Sequence, residues 1–261
     1  MSTAVRPPSQ YEDPIVAPHS LKGRRILVVG GSSGFGRQVA VDASLAGADV
    51  IVVGLDPAKS HATAQECGAL GHGKANALAF DVTTDAGRER LLEAVGRVDH
   101  VVSTLGGRLG DHVREDDDDA VRDVARRKVA DNRALVDALA DRVVDGGSFV
   151  LTAGSTRRPG EGDGVAAVTG NEEIVDLVRE KALELAPRVR VNAVAPTWTQ
   201  TPLWRHHDDA TVIAMRREME ERIPLGRTAD IREVARAYLF LMTSGFVTGQ
   251  TIAVDGGYSL T

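Results

Sequence analysis

The chain has 261 residues, 43% hydrophobic and 26% charged, with a formal net charge of -6. That supplies one sizeable core, so a single domain is expected, and the acidic balance offers no clustered basic face for nucleic acid. A lone cysteine, Cys67, rules out an internal disulfide, and no apolar run reaches the ~20 residues of a membrane helix; a soluble cytoplasmic protein with no nucleic-acid or membrane partner is expected.

Residues 1–20 carry Pro7, Pro8, Pro14 and Pro18 and match neither a secretory signal nor a transit peptide. They read as an extended arm, disordered or laid along its own body or a neighbouring subunit. Residues 21–261 form the domain. From Arg25 short apolar strands alternate with longer amphipathic segments, at Ile26–Val29, Val50–Val53, Ala77–Phe80, His100–Ser103, Ser148–Thr152, Arg190–Val194 and Thr251–Val254. This pattern predicts an α/β fold, a doubly wound parallel seven-stranded sheet of Rossmann type, whose ligands sit beyond the carboxyl ends of the strands.

After the first strand comes Gly30-Gly31-Ser32-Ser33-Gly34-Phe35-Gly36, then the helix-compatible run Arg37 to Ala40. Glycines at 30, 34 and 36 let the chain turn sharply and bring backbone N–H groups close to a pyrophosphate at a helix start, with Ser32, Ser33 and Phe35 completing the cradle. Arg108 and His112 follow the fourth strand on the ligand side, where either suits an acidic or carbonyl substrate or an ordinary surface loop. The acidic run Glu115 to Asp119 reads as a solvated helix start. Trp198 and Trp204 flank a candidate substrate lid, residues 203–227, as planar surfaces for a substrate or as lid packing. His206, His207, Asp208 and Asp209 point in different directions on a helix, and no metal site is expected.

These motifs resemble the short-chain dehydrogenase/reductase family, and the likeness runs from the glycine loop to the carboxyl terminus. Asp81-Val82 after the third strand matches the pair used at the adenine ring. Val191 to Pro196 matches the strand under the nicotinamide, with Thr199 in the following loop and Thr201 where a hydroxyl meets the carboxamide. Thr248-Gly249-Gln250 and Val254-Asp255-Gly256-Gly257 match the carboxyl-terminal signature. The resemblance implies NAD or NADP as cofactor, a small-molecule substrate, and a homo-oligomer, tetramer or dimer, with Ala237 to Met242 as a subunit contact.

Several positions depart from that family. Its Asn-Asn-Ala-Gly appears as Ser103-Thr104-Leu105-Gly106, leaving Thr104 and Gly106 beside the cofactor, and Thr197 replaces the glycine after Pro196. The second strand ends in Gly54-Leu55-Asp56, where neither the NAD-type acid nor the NADP-type arginine stands in place. Asp56 is within reach of a ribose hydroxyl, which leans towards NAD, while Lys59 argues the other way, and loss of the cofactor stays open. The catalytic Tyr-x-x-x-Lys pair is absent: the tyrosines are Tyr11, Tyr238 and Tyr258, and the two positions fall on Ala167 and Asn171. The family serine falls on Gly154, next to Ser155, which serves if the loop is shifted by one. The asparagine of the fourth helix falls on Lys128. Burial would lower the pKa of that lysine and make it an acid, a base or an amine nucleophile. Thr152 to Ser155, Arg158-Pro159 and Thr201-Pro202-Leu203-Trp204 are similar to an atypical subset of the family that lacks the pair.

Three functions follow as expectations. One is an atypical oxidoreductase acting on a small carbonyl or alcohol with NAD(P), in which Lys128, Ser155 or a water replaces tyrosine. Another is a non-redox isomerase, cyclase, dehydratase or aldol-type catalyst on the same scaffold. The third is a non-catalytic, cofactor-binding partner in an oligomer.

Overall fold

Burial of a parallel sheet on both faces explains why the Val- and Ile-rich runs are unbroken rather than alternating. The computed structural model describes residues 20–106, 118–156 and 165–261, the first turns of the helices at 118 and 165 by backbone alone. The strands are β1 (Arg25–Val29), β2 (Asp49–Gly54), β3 (Ala75–Ala79), β4 (Val98–Ser103), β5 (Val143–Thr152), β6 (Arg190–Pro196) and β7 (Thr251–Val254). Between them run α1 (Gly34–Leu45), α2 (Pro57–Leu70), α3 (Asp85–Ala94), α4 (Asp118–Leu139), α5 (Val165–Leu185), α6 (Asp209–Arg222) and α7 (Ile231–Thr243).

All neighbouring strands pair in parallel, in the order β3-β2-β1-β4-β5-β6-β7. The order reverses between β1 and β4, and this is where such sheets open a crevice at their carboxyl ends. One core layer sets Leu27, Val29, Val101, Phe149 and Leu151 against Leu91, Leu135, Leu139, Ile174 and Leu177 of α3, α4 and α5. The other sets Ile26, Val28, Val50 and Val52 against Val39, Ala64, Val234 and Tyr238 of α1, α2 and α7. Each such large side chain, fully buried, contributes about 1.5–3 kcal/mol, so the crevice is mounted on a rigid frame.

All seven expected strands are present, four of them differing by two residues or more at one end: β4 begins at Val98, β6 runs on to Pro196, and β3 and β5 begin earlier. β3 begins at Ala75, because Val50 pairs with Ala75 and Gly54 with Ala79; alanines carry little apolar signal, and Phe80 lies past the strand with the Arg90 guanidinium 4.5 Å from its ring centre. β5 begins at Val143, because Val98 pairs with Val143 while His100 pairs with Ser148, an irregularity that interrupts the apolar run. Residues 203–227 form most of a short 3-10 turn, Pro202–Trp204, and then α6, none of whose side chains is buried. Of Ala237 to Met242 only Phe240 is exposed, the rest packing inward from α7. The expected amino-terminal arm lies outside the described residues apart from Ser20. Among the described residues no helix is long and apolar enough to cross a membrane.

Candidate active site

The glycine turn is tied to β2 and β4. Gly30 and Gly31 both donate to the Val53 carbonyl at 2.9 Å. The Thr104 hydroxyl donates to the Val29 carbonyl at 3.1 Å and fills the space beside Gly30 and Gly36, where a Cβ on either would collide with it. Gly30 holds φ +79 and Gly34 φ +53, a region that costs residues with a Cβ about 1–2 kcal/mol. Above Gly34 the space is open, with Thr201 Cβ the nearest atom at 4.0 Å. Ser33 precedes α1 with no side-chain cap, whereas α2, α3, α6 and α7 are capped by Asp56, Thr84, Asp208 and Asp230. The start of α1 thus has no side-chain cap and has room beside Gly34 at the positive end of the helix, which fits the pyrophosphate of a dinucleotide. Phe35 packs into the core on the α7 side.

The adenosine end is built differently from a charged selector. A Cβ on Gly54 would lie 2.5 Å from Ser32 Oγ and 2.7 Å from Ser60 Oγ, so hydroxyls occupy the place of an acid. Asp56 Oδ1 accepts from the N–H groups of Ala58 at 2.9 Å and Lys59 at 3.1 Å, and Oδ2 faces Lys59 Nζ at 3.7 Å. Its carboxylate is therefore largely committed to starting α2. The exposed Asp81 carboxylate accepts from the N–H and hydroxyl of Thr83, and Val82 is in the core.

Where the family's two asparagines are missing, an amide arrives from α4 instead. Asn132, fully buried, accepts from Ser103 Oγ at 2.7 Å and donates to the carbonyls of Leu105 at 3.2 Å and Lys128 at 2.8 Å. On the far side, the Thr152 hydroxyl donates to the Ser103 carbonyl at 2.8 Å and lies 2.7 Å from Tyr238 Oη. Sequence reasoning missed Asn132, Thr152 and Tyr238 as supports of the β4 end. A signal existed for Asn132, a polar residue one helical turn after Lys128 on an otherwise apolar stripe.

Lys128 Nζ donates to Asn171 Oδ1 at 3.0 Å and sits 3.4 Å from the Ala153 carbonyl. Burial pushes its pKa down to about 8. The pair joins an amine on α4 to an amide on α5. The Asn171 amide also fills the room of the missing serine, since a Cβ on Gly154 would lie 2.6 Å from its Nδ2. Ser155 is turned elsewhere: its hydroxyl donates to the Ala195 carbonyl at 2.8 Å and its N–H to the Pro196 carbonyl at 2.9 Å. The structure thus joins Lys128 to Asn171 and bonds Ser155 into β6.

After Pro196 the loop folds on itself. Thr197 is 9% exposed, Thr199 Oγ1 donates to the Thr197 carbonyl at 3.0 Å, and Trp204 Nε1 donates to the Thr199 carbonyl at 2.9 Å. Trp198 and Trp204 stack with ring centres 5.5 Å apart and planes at 24°. The Thr201 hydroxyl accepts from the Leu203 N–H at 3.3 Å, which holds the loop beside Gly34. Gly106 is exposed, with no atom of the described residues within 4 Å of an added Cβ. Arg108, His112 and Arg158-Pro159 lie outside the described residues, as do the side chains of Glu115 to Asp119 and of Ala167.

Residues 29–259 match the family model described as enoyl-(acyl carrier protein) reductase. An uncharacterized oxidoreductase of Mycobacterium tuberculosis is 30% identical over 243 residues, covering 88% of this chain and 90% of its own. The 3-oxoacyl-[acyl-carrier-protein] reductase of Thermotoga maritima is 30% identical over 249 residues, 91% of this chain and 98% of its own. Among solved structures, a short-chain type dehydrogenase/reductase from Mycobacterium ulcerans superposes with a TM-score of 0.79 at 31% identity, covering 92% of this chain and 91% of its own.

Proposed function

Because the chain belongs to the short-chain dehydrogenase/reductase family of oxidoreductases, we propose that it reduces or forms a small-molecule carbonyl with a nicotinamide dinucleotide, and that Lys128 takes over the proton handling normally done by tyrosine. The observation that carries this reading is the Lys128 amine, half-buried and held by the neutral oxygens of Asn171 and Ala153. A lysine so placed is mostly protonated near neutrality yet gives up its proton readily, since burial has brought its pKa to about 8.

The glycine turn at 30–36, the start of α1 and the loop carrying Thr199 and Thr201 would hold the dinucleotide, whose nicotinamide supplies hydride when bound. Lys128 Nζ gives a proton to the carbonyl oxygen in reduction and receives one from the hydroxyl in oxidation. Asn171 fixes the direction of the amine, and the stacked tryptophans exclude water from the substrate side. The relative that reduces 3-oxoacyl chains supports a carbonyl substrate. Homo-oligomeric assembly belongs to the same proposal.

The test is loss of nicotinamide absorbance when the protein is given NADH or NADPH with a panel of 3-oxoacyl thioesters, quinones and aryl ketones. Oxidation of the coenzyme with at least one carbonyl, strongly reduced in Lys128→Ala, is expected. No oxidation with any of them, alongside a product of unchanged oxidation state formed without coenzyme, would favour a non-redox catalyst. That second reading is supported by Gly154, where the substrate-orienting hydroxyl of the family is absent and the Asn171 amide stands instead.

A further inference from the structure

Among the described residues, Lys128 has donor capacity left unused. An ammonium offers three N–H groups, and two acceptors lie within bonding distance, Asn171 Oδ1 at 3.0 Å and the Ala153 carbonyl at 3.4 Å. Both are neutral. Among the described residues no carboxylate balances the charge, and burial alone accounts for the lowered pKa. A largely desolvated cation with no described counter-ion attracts an anionic oxygen more strongly than the same cation in solvent.

The neighbouring loop points the same way. It is joined to the β5 end through the Ser155 N–H and the Pro196 carbonyl at 2.9 Å, and it carries the stacked pair Trp198 and Trp204. Lysine is a point donor rather than a fork, so it suits a single oxygen better than the paired oxygens of a carboxylate, which match arginine.

Building on the role of Lys128 argued above, the geometry points to an oxyanion site at Lys128 Nζ that holds planar molecules whose oxygen ionises easily, the enolates of 1,3-dicarbonyls and phenolates, in preference to simple ketones. Such a molecule brings the missing counter-charge, and its flat carbon frame suits the indole surfaces that the neighbouring loop carries.

The probe is 4-nitrophenol, whose phenolate and phenol absorb differently, titrated with the full-length protein across its ionisation range. The phenolate should bind roughly tenfold or more tightly than the phenol, seen as a fall of about one unit in the apparent pKa of the bound probe. Lys128→Met should abolish that preference and Lys128→Arg should keep part of it, with melting curves reporting that each variant is folded. Lys128→Gln replaces the methionine variant if that one does not fold. Benzoate, a carboxylate on the same ring, should compete at least about tenfold more weakly than the phenolate if a single oxygen is what the site takes. Equal binding of phenol and phenolate, no binding of either, an unchanged preference without the lysine, or equal competition by benzoate overturns the inference. A phenolate preference without any coenzyme oxidation removes the oxidoreductase reading and leaves this one. Coenzyme oxidation that depends on Lys128, with no phenolate preference, does the reverse.

Discussion

Replacing Lys128 with methionine should remove a pH dependence from the stability of the fold. Burial lowers the Lys128 ammonium from its ordinary 10.5 to about 8. A fall of that size corresponds to about 3 kcal/mol against the charged folded state, and partial exposure of the side chain trims it to about 1–2 kcal/mol. Between 8 and 10.5 the unfolded chain still holds the proton that the folded chain has released, so wild-type stability rises with pH across that window. Methionine carries no proton in either state. The hydrogen bonds lost at Asn171 and Ala153 lower the variant by a nearly constant amount, so the quantity to read is how the gap between the two proteins changes with pH. Urea denaturation at about pH 7 and about pH 10 measures it, and the other groups that titrate in this range are common to both chains. The gap should move by about 1–2 kcal/mol in favour of wild type at the higher pH. Parallel stability curves would refute the assignment of a desolvated amine at this position.

Gly30→Ala should destabilise the domain by at least about 1–2 kcal/mol and weaken dinucleotide binding, because the residue sits at φ +79 against the Thr104 hydroxyl; thermal melting with and without NADP reads both effects, and an unchanged melt would contradict the packing described. Asn132→Leu should cost about 2–3 kcal/mol in urea denaturation, since it strands Ser103 Oγ and the Leu105 carbonyl; a loss below about 0.5 kcal/mol would mean the β4 end is held some other way. NAD and NADP should bind within about tenfold of each other, because hydroxyls rather than charges face Gly54 and Asp56 is tied to α2. Isothermal calorimetry decides this, and a hundredfold preference for either would show a selector not identified in the described residues.

The frame of the protein was legible because its signals are local. Apolar runs bounded by turns gave all seven strands, and the glycine spacing marked the phosphate turn where the structure leaves the start of α1 uncapped. Strand edges were less legible wherever partners rather than composition set them, as in the alanine-rich β3 and the irregular opening of β5. Lys128 and Asn171 were each visible as departures from a family pattern. Their pairing is a contact between residues 43 apart in sequence, which no local period encodes. Asp56 shows how one residue type carries two readings: an acid after a strand reads equally well as a ribose ligand and as a helix cap, and here it makes the cap's hydrogen bonds. Ser155 likewise reads as catalytic from its neighbourhood, while its hydroxyl is bonded to the Ala195 carbonyl.

Proton transfer through Lys128 Nζ is tested most directly by the pH dependence of kcat for carbonyl reduction in wild type and Lys128→Met. The wild-type rate should fall as pH rises through about 8, because the donor is the ammonium and its pKa lies there. The variant should be slower by about 10²–10⁴ and lack that limb. The same limb at the same pH in both proteins would contradict a role for Lys128 in moving the proton.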